Sequence, residues 1–185
     1  MMEDAELIRR TQQGCEEAFA DLVRRYADRL HRFLVGRGAN PVDAEDLVQE
    51  TFIAAHRALD RYDPRYAFST WLFTIGRRLA VSQYRKRKRL EAIAEKRIPP
   101  PSGTDSRSEA GQGIWDAARQ KLAPRDFEAL WLRYGEDLSI GEVARVMGVY
   151  ALHARVILHR ARGRLAAELH AAGTLVGEPR LERGL

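Results

Sequence analysis

The sequence has 185 residues, 45% hydrophobic and 31% charged, which excludes an intrinsically disordered chain, and it holds no apolar run of the roughly eighteen residues a membrane helix needs. Its opening, MMEDAELIRR, lacks the apolar centre of a secretory leader, and the lone Cys15 cannot form an internal disulfide, so the expected setting is a reducing cytoplasm without membrane insertion. The net charge of +5 is unevenly spread: residues 1–76 carry ten Lys/Arg against thirteen Asp/Glu, residues 77–97 nine against two, and no acid lies between Glu142 and Glu168. Two cationic patches of this kind suit nucleic acid or another polyanion, although either alone is equally a solvated helix face.

Along the chain the apolar spacing is helical throughout, and nothing alternates at period two for long enough to form a strand. Leu7 and Ile8 are followed by Phe19, Leu22, Val23, Tyr26, Leu30, Phe33 and Leu34, after which GRGAN at 36–40 ends the run. Asn40 followed by Pro41 starts the next helix, expected from about Val42 to Leu59. Asp43, Glu45 and Asp46 complement the dipole at its N-terminus, and Ala44, Leu47, Val48, Thr51, Phe52, Ala55 and Leu59 form its buried stripe. Its other face, with Glu45, Gln49 and Glu50, is polar and partly acidic.

The loop DRYDPRYAF, 60–68, interleaves Tyr62, Tyr66 and Phe68 with Arg61 and Arg65. Such aromatics either stack on an unpaired base or fold down as a lid on the core. Ser69 can cap a helix running to about Arg89, with Trp71, Leu72, Ile75 and Leu79 inward and Thr74, Arg78, Ser82, Arg85 and Arg89 on one outward stripe. That helix would extend roughly 30 Å, about one turn of duplex DNA.

IPPPSGTDSRSEAGQG, 98–113, has the composition of a solvated linker. Beyond it, Phe127, Leu130, Trp131 and Tyr134 mark a helix from about Pro124 to Tyr134, and Ser139 with Glu142 forms a capping box. Ile140, Val143, Ala144 and Met147 give a short apolar face, Gly148 a turn, and a longer basic helix continues to about Leu169. Short helix, glycine turn and longer basic helix form a helix-turn-helix, whose second helix enters the major groove. The expected fold is all-α, with two small helical domains, 1–97 and 114–172, joined by a flexible linker at 98–113 and followed by a flexible tail at 173–185.

DAEDLVQETFIAAHRALDRYDP with STWLFTIGRRLA, and LSIGEVARVMGV with LHRARGRL, resemble bacterial RNA polymerase sigma factors of the extracytoplasmic-function type, group 4 of the sigma-70 superfamily. The resemblance covers the chain in order from ELIRR to about Leu169 and implies a transcription initiation factor. It implies that Asp43, Glu45, Asp46, Leu47, Gln49 and Glu50 contact the β′ clamp helices of core polymerase, with the β flap as a further contact. It assigns −10 DNA binding and opening to Arg61, Tyr62, Arg65, Tyr66, Trp71, Arg77, Arg78, Ser82 and Arg85, and −35 binding to Tyr150, His153, Arg155, His159, Arg160 and Arg162. An anti-sigma factor covering these faces is a further expected partner.

The sequence departs from the family at its reading positions. Arg78 stands where Asn is usual and Ser82 where Asp is usual; in the recognition helix His153, Val156 and Ile157 replace Thr, Ser and Arg. Three explanations stay open: an unusual promoter with Val156 or Ile157 on thymine methyls, an apolar surface for a protein partner, or closer packing of the second domain on the first. A sigma-like repressor that never initiates transcription is the alternative function. An enzyme is not expected: His31, His56, His153, His159 and His170 show no metal-ligand spacing, and no nucleophile, cofactor loop or small-molecule site is legible.

Overall fold

The computed structural model describes residues 2–94 and 114–171, and side chains for 2–90 and 114–170; the expected linker at 98–113 and tail from 173 lie outside the described residues. Among the described residues the chain is helical and contains no strand. Helices α1 (Asp4–Gln12), α2 (Glu16–Gly36), α3 (Pro41–Ala58) and α4 (Phe68–Ala94) build the first domain, and a 3-10 turn, Leu59–Arg61, follows α3.

The start of α3 follows directly from sequence chemistry. Asn40 is extended, its Oδ1 accepts the Asp43 N–H at 2.7 Å, and Pro41 occupies the first turn, where its missing N–H costs nothing. Asn40→Ala should lower stability by about 1 kcal/mol, read as a reduced urea midpoint with an unchanged slope. The buried side of α3, Ala44, Leu47, Thr51, Phe52 and Ala55, faces α2 and α4. At the centre of the domain the Phe33 and Phe73 rings meet edge to face at 5.0 Å, both fully buried. Phe73 lies outside the inward stripe expected for α4. It is buried beside Leu72 because α4 is covered on two sides, by α2 and α3 on one and by the second domain on the other.

The second domain comprises α5 (Ile114–Lys121), α6 (Pro124–Leu130), a π-helical turn (Trp131–Gly135), α7 (Ile140–Met147) and α8 (Ala151–Ala171). Trp115, Phe127 and Trp131 form its aromatic core, with the Phe127 and Trp131 rings stacked at 5.8 Å. The capping box at α7 is complete: Ser139 Oγ accepts the Glu142 N–H at 3.3 Å, and Glu142 Oε2 accepts the Ser139 N–H at 2.9 Å. Gly148 ends α7 at φ 65°, left-handed backbone that a β-carbon disfavours.

The two domains are packed together. α7 lies along α4 and α6 reaches α2, so closely that the backbone of Gly36 touches the ring of Phe127 and leaves no room for a side chain at 36.

Candidate nucleic-acid interface

Three surfaces carry the residues singled out in the sequence. On α3, Glu45, Asp46, Gln49 and Glu50 are exposed along one side. Asp43 is half-buried, receiving Asn40 Nδ2 at 2.8 Å and Arg87 Nη1 at 3.4 Å. Leu47 is only 1% exposed. Its place among the surface contacts is therefore corrected: it anchors α3 in the core beneath the acidic side.

The loop between α3 and α4 divides its aromatics between the two readings. Phe68 is core. Tyr62 packs its ring edge to face on Trp71 at 5.4 Å and donates its hydroxyl to the Tyr66 carbonyl, and burial pushes its pKa up. Trp71 is half-buried in the same cluster. Arg61 and Arg65 are exposed, but Arg65 is engaged with Asp63 through Nε at 2.9 Å, and that hydrogen bond holds the Asp63 carboxyl below its usual range. Tyr66 is half-buried, with the Arg145 guanidinium over its ring at 3.6 Å.

On α4, Arg78, Ser82 and Arg85 are exposed. Arg77 is not: it turns toward the second domain, where its Nε donates to Glu128 Oε1 at 2.7 Å. Tyr150, just before α8, and His153, Arg155, His159, Arg160 and Arg162 on it are all exposed, with Arg162 Nη1 at 3.3 Å from the Tyr134 hydroxyl. Ala154, Ile157, Leu158 and Ala161 form the buried side of that helix, whereas Val156 is 41% exposed. Ile157 thus belongs to the core of the second domain, and of the two apolar replacements only Val156 can meet a base.

Sequence reading missed Arg37, Glu128 and the second partner of Glu142. The one signal available was Glu128 within PRDFEALW, an acid inside an apolar helix, which has to find a cation when buried. Glu142 does more than cap α7. Its Oε1 accepts the Thr70 hydroxyl at 2.9 Å, and the Ala67 N–H also reaches the carboxylate. Burial pushes this carboxyl up, but hydrogen bonds from Ser139, Thr70 and Ala67 outweigh it and hold the group below its ordinary value. The folded chain therefore favours the ionised form, so this stability is present above the ordinary carboxylate range and is lost as pH falls through the lowered value. Between about pH 5 and about pH 3 the thermal midpoint should fall more for the wild type than for Glu142→Gln.

Among the described residues no group of three His, Cys, Asp or Glu could hold a metal, and no helix is long and apolar enough to cross a membrane. The family model for Sigma-70 region 2 matches residues 22–90, which hold α3, the loop and the described basic part of α4; that for Sigma-70 region 4 matches 113–165, which hold the helix-turn-helix. The RNA polymerase sigma factor CarQ of Myxococcus xanthus is 33% identical over 95% of this chain and 98% of its own length. The ECF RNA polymerase sigma factor BldN of Streptomyces coelicolor is 34% identical over 77% of this chain and 57% of its own. Among solved structures, CnrH in complex with the cytosolic domain of CnrY is 29% identical at a TM-score of 0.64, covering 91% of this chain and 97% of that one. The Bartonella quintana sigma factor RpoE in complex with the anti-sigma factor NepR is 25% identical at a TM-score of 0.67, covering 82% of this chain and 96% of that one. With a region 2 match over α3, the loop and α4, a region 4 match over the helix-turn-helix, and relatives of this identity along nearly the whole chain, the chain belongs to the extracytoplasmic-function sigma factors of RNA polymerase, the initiation factors that direct the polymerase to promoters.

Proposed function

We propose that the exposed side of α3, through Glu45, Asp46, Gln49 and Glu50, docks on the β′ clamp helices of core polymerase. The loop 60–68 with Arg78, Ser82 and Arg85 engages the −10 element, and the exposed side of α8 the −35 element. The observation that carries this reading is the separation of charge by helix: Glu45, Asp46 and Glu50 are exposed on α3, whereas the exposed cations lie on α4 and α8, so a protein partner and a nucleic acid can be held at once. Phosphate contacts from the arginines position the DNA, and reading falls to a few side chains. Tyr66 is the ring best placed in the loop to receive a base that leaves the stack, an extrusion that costs a few kcal/mol.

In this reading the protein has no catalytic role of its own, works in the cytoplasm and takes no small-molecule substrate or cofactor. By likeness to the RpoE–NepR complex, an anti-sigma factor is a further partner. Run-off transcription with purified core polymerase on a promoter library tests the whole. Transcripts that depend on the chain are expected; DNA binding with no transcript from any template would favour the repressor alternative.

A further inference from the structure

Two carboxylates of the second domain sit where the first domain is built to receive anions. Glu128 is 2% exposed and lies between two guanidiniums: Arg77 Nε donates to one oxygen at 2.7 Å, and Arg37 pairs with the other. Two cations against one carboxylate leave a surplus positive charge under cover. Burial, with Arg77 alongside, lowers the Arg37 pKa, and Arg37 Nε finds no hydrogen-bond partner among the described residues. Glu142 is the second carboxylate, received by the Thr70 hydroxyl and the Ala67 N–H where α4 begins and its first N–H groups are open to an anion. Arg145 of the same domain lies over the Tyr66 ring at 3.6 Å, on a face where a planar base would stack. Cation pair, helix start and aromatic face, all on the first domain, are each filled by a side chain of the second.

We propose that Arg37 and Arg77 form a seat for a DNA backbone phosphate, that Glu128 occupies this seat in the free chain, and that the second domain and a promoter single strand exclude each other from this face. The proposal rests on the reading of the first domain as the −10 surface and adds Arg37 to it. Opening is required because Arg37 and Arg77 side chains are only 15% and 25% exposed while the domains are packed. Removing Glu128 would leave both cations buried without a counter-charge, which disfavours the closed form strongly.

The experiment uses the full chain, a fluorescein-labelled mixed-sequence DNA single strand followed by anisotropy, and the radius of gyration from small-angle scattering. Glu128→Gln keeps the shape of the side chain and releases the clamp. Arg29→Glu breaks the closure elsewhere, because Arg29 pairs with Glu136 across the domains and the variant sets two carboxylates face to face. If about nine-tenths of the free chain is closed, both variants should expand the molecule and bind the strand about tenfold tighter. One variant raises the net charge and the other lowers it, so a shared gain cannot come from overall charge. Adding Arg37→Ala to Glu128→Gln should take back much of the gain. A wild type already as expanded as the variants overturns the closure. Expansion with unchanged, measurable affinity overturns the mimicry. If neither wild type nor variants bind the strand, the reading of this face as a DNA surface fails, and the phosphate seat with it.

Discussion

Replacing Asp46 and Glu50 together by arginine will abolish association with core RNA polymerase and leave the fold intact. The two carboxylates stand four residues apart, on successive turns of one side of α3. Both are exposed, and neither forms an ion pair with another described residue, so the folded chain loses little when they change; surface substitutions of this kind alter stability by about 0.5 kcal/mol or less. The partner surface feels the change fully. Each reversal removes an attraction and sets like charges opposite one another, a difference of several kcal/mol across an interface, so binding should weaken by at least about 100-fold. Pull-down of purified core polymerase, with circular dichroism as the control for folding, reads this out. Undiminished capture by the doubly reversed chain would remove α3 as the docking surface.

Phe33→Ala will cost more stability than any surface change. Its ring is fully buried, meets Phe73 edge to face and lies under the Arg37 guanidinium at 5.8 Å, so truncation removes apolar contact with α4 and leaves a cavity at the centre of the first domain. Phenylalanine truncations in such settings cost about 3–5 kcal/mol. For a domain of this size the thermal midpoint should drop by more than about 10 °C. Calorimetry would show a loss below about 1 kcal/mol only if the neighbouring helices collapsed into the gap, which α2, held on both of its sides, has little freedom to do.

What could be read in the sequence was local. The Asn40–Pro41 start, the Ser139–Glu142 box and Gly148 each act within a few residues of themselves, and each is realised in the fold. The periodic stripe of α3 likewise places Ala44, Thr51 and Phe52 inside without reference to any other element. Contacts between distant segments left no such mark. The resemblance assigns Arg77 to DNA and the helix pattern leaves Thr70 without a place, yet Thr70 is fully buried and Arg77 is paired across 51 positions, because α7 and α6 cover that side of α4. Ile157 shows the same limit from the opposite direction. In the helix pattern it stands where the family places an arginine, and only the packing of α8 on α6 and α7 shows that it completes a core.

The widened turn at Trp131–Gly135 closes the α6 segment and sets the direction of the residue that follows it. The Glu136 N–H reaches back five residues to the Trp131 carbonyl at 3.0 Å, one more than in a regular helix. One added residue in a spiral of 3.6 per turn rotates the following side chains by roughly 100°. That offset aims Glu136 at Arg29; a chain one residue shorter here would wind on evenly and swing the carboxylate away from its neighbour on α2. A single-residue irregularity in the second domain thereby positions one of the carboxylates that tie it to the first.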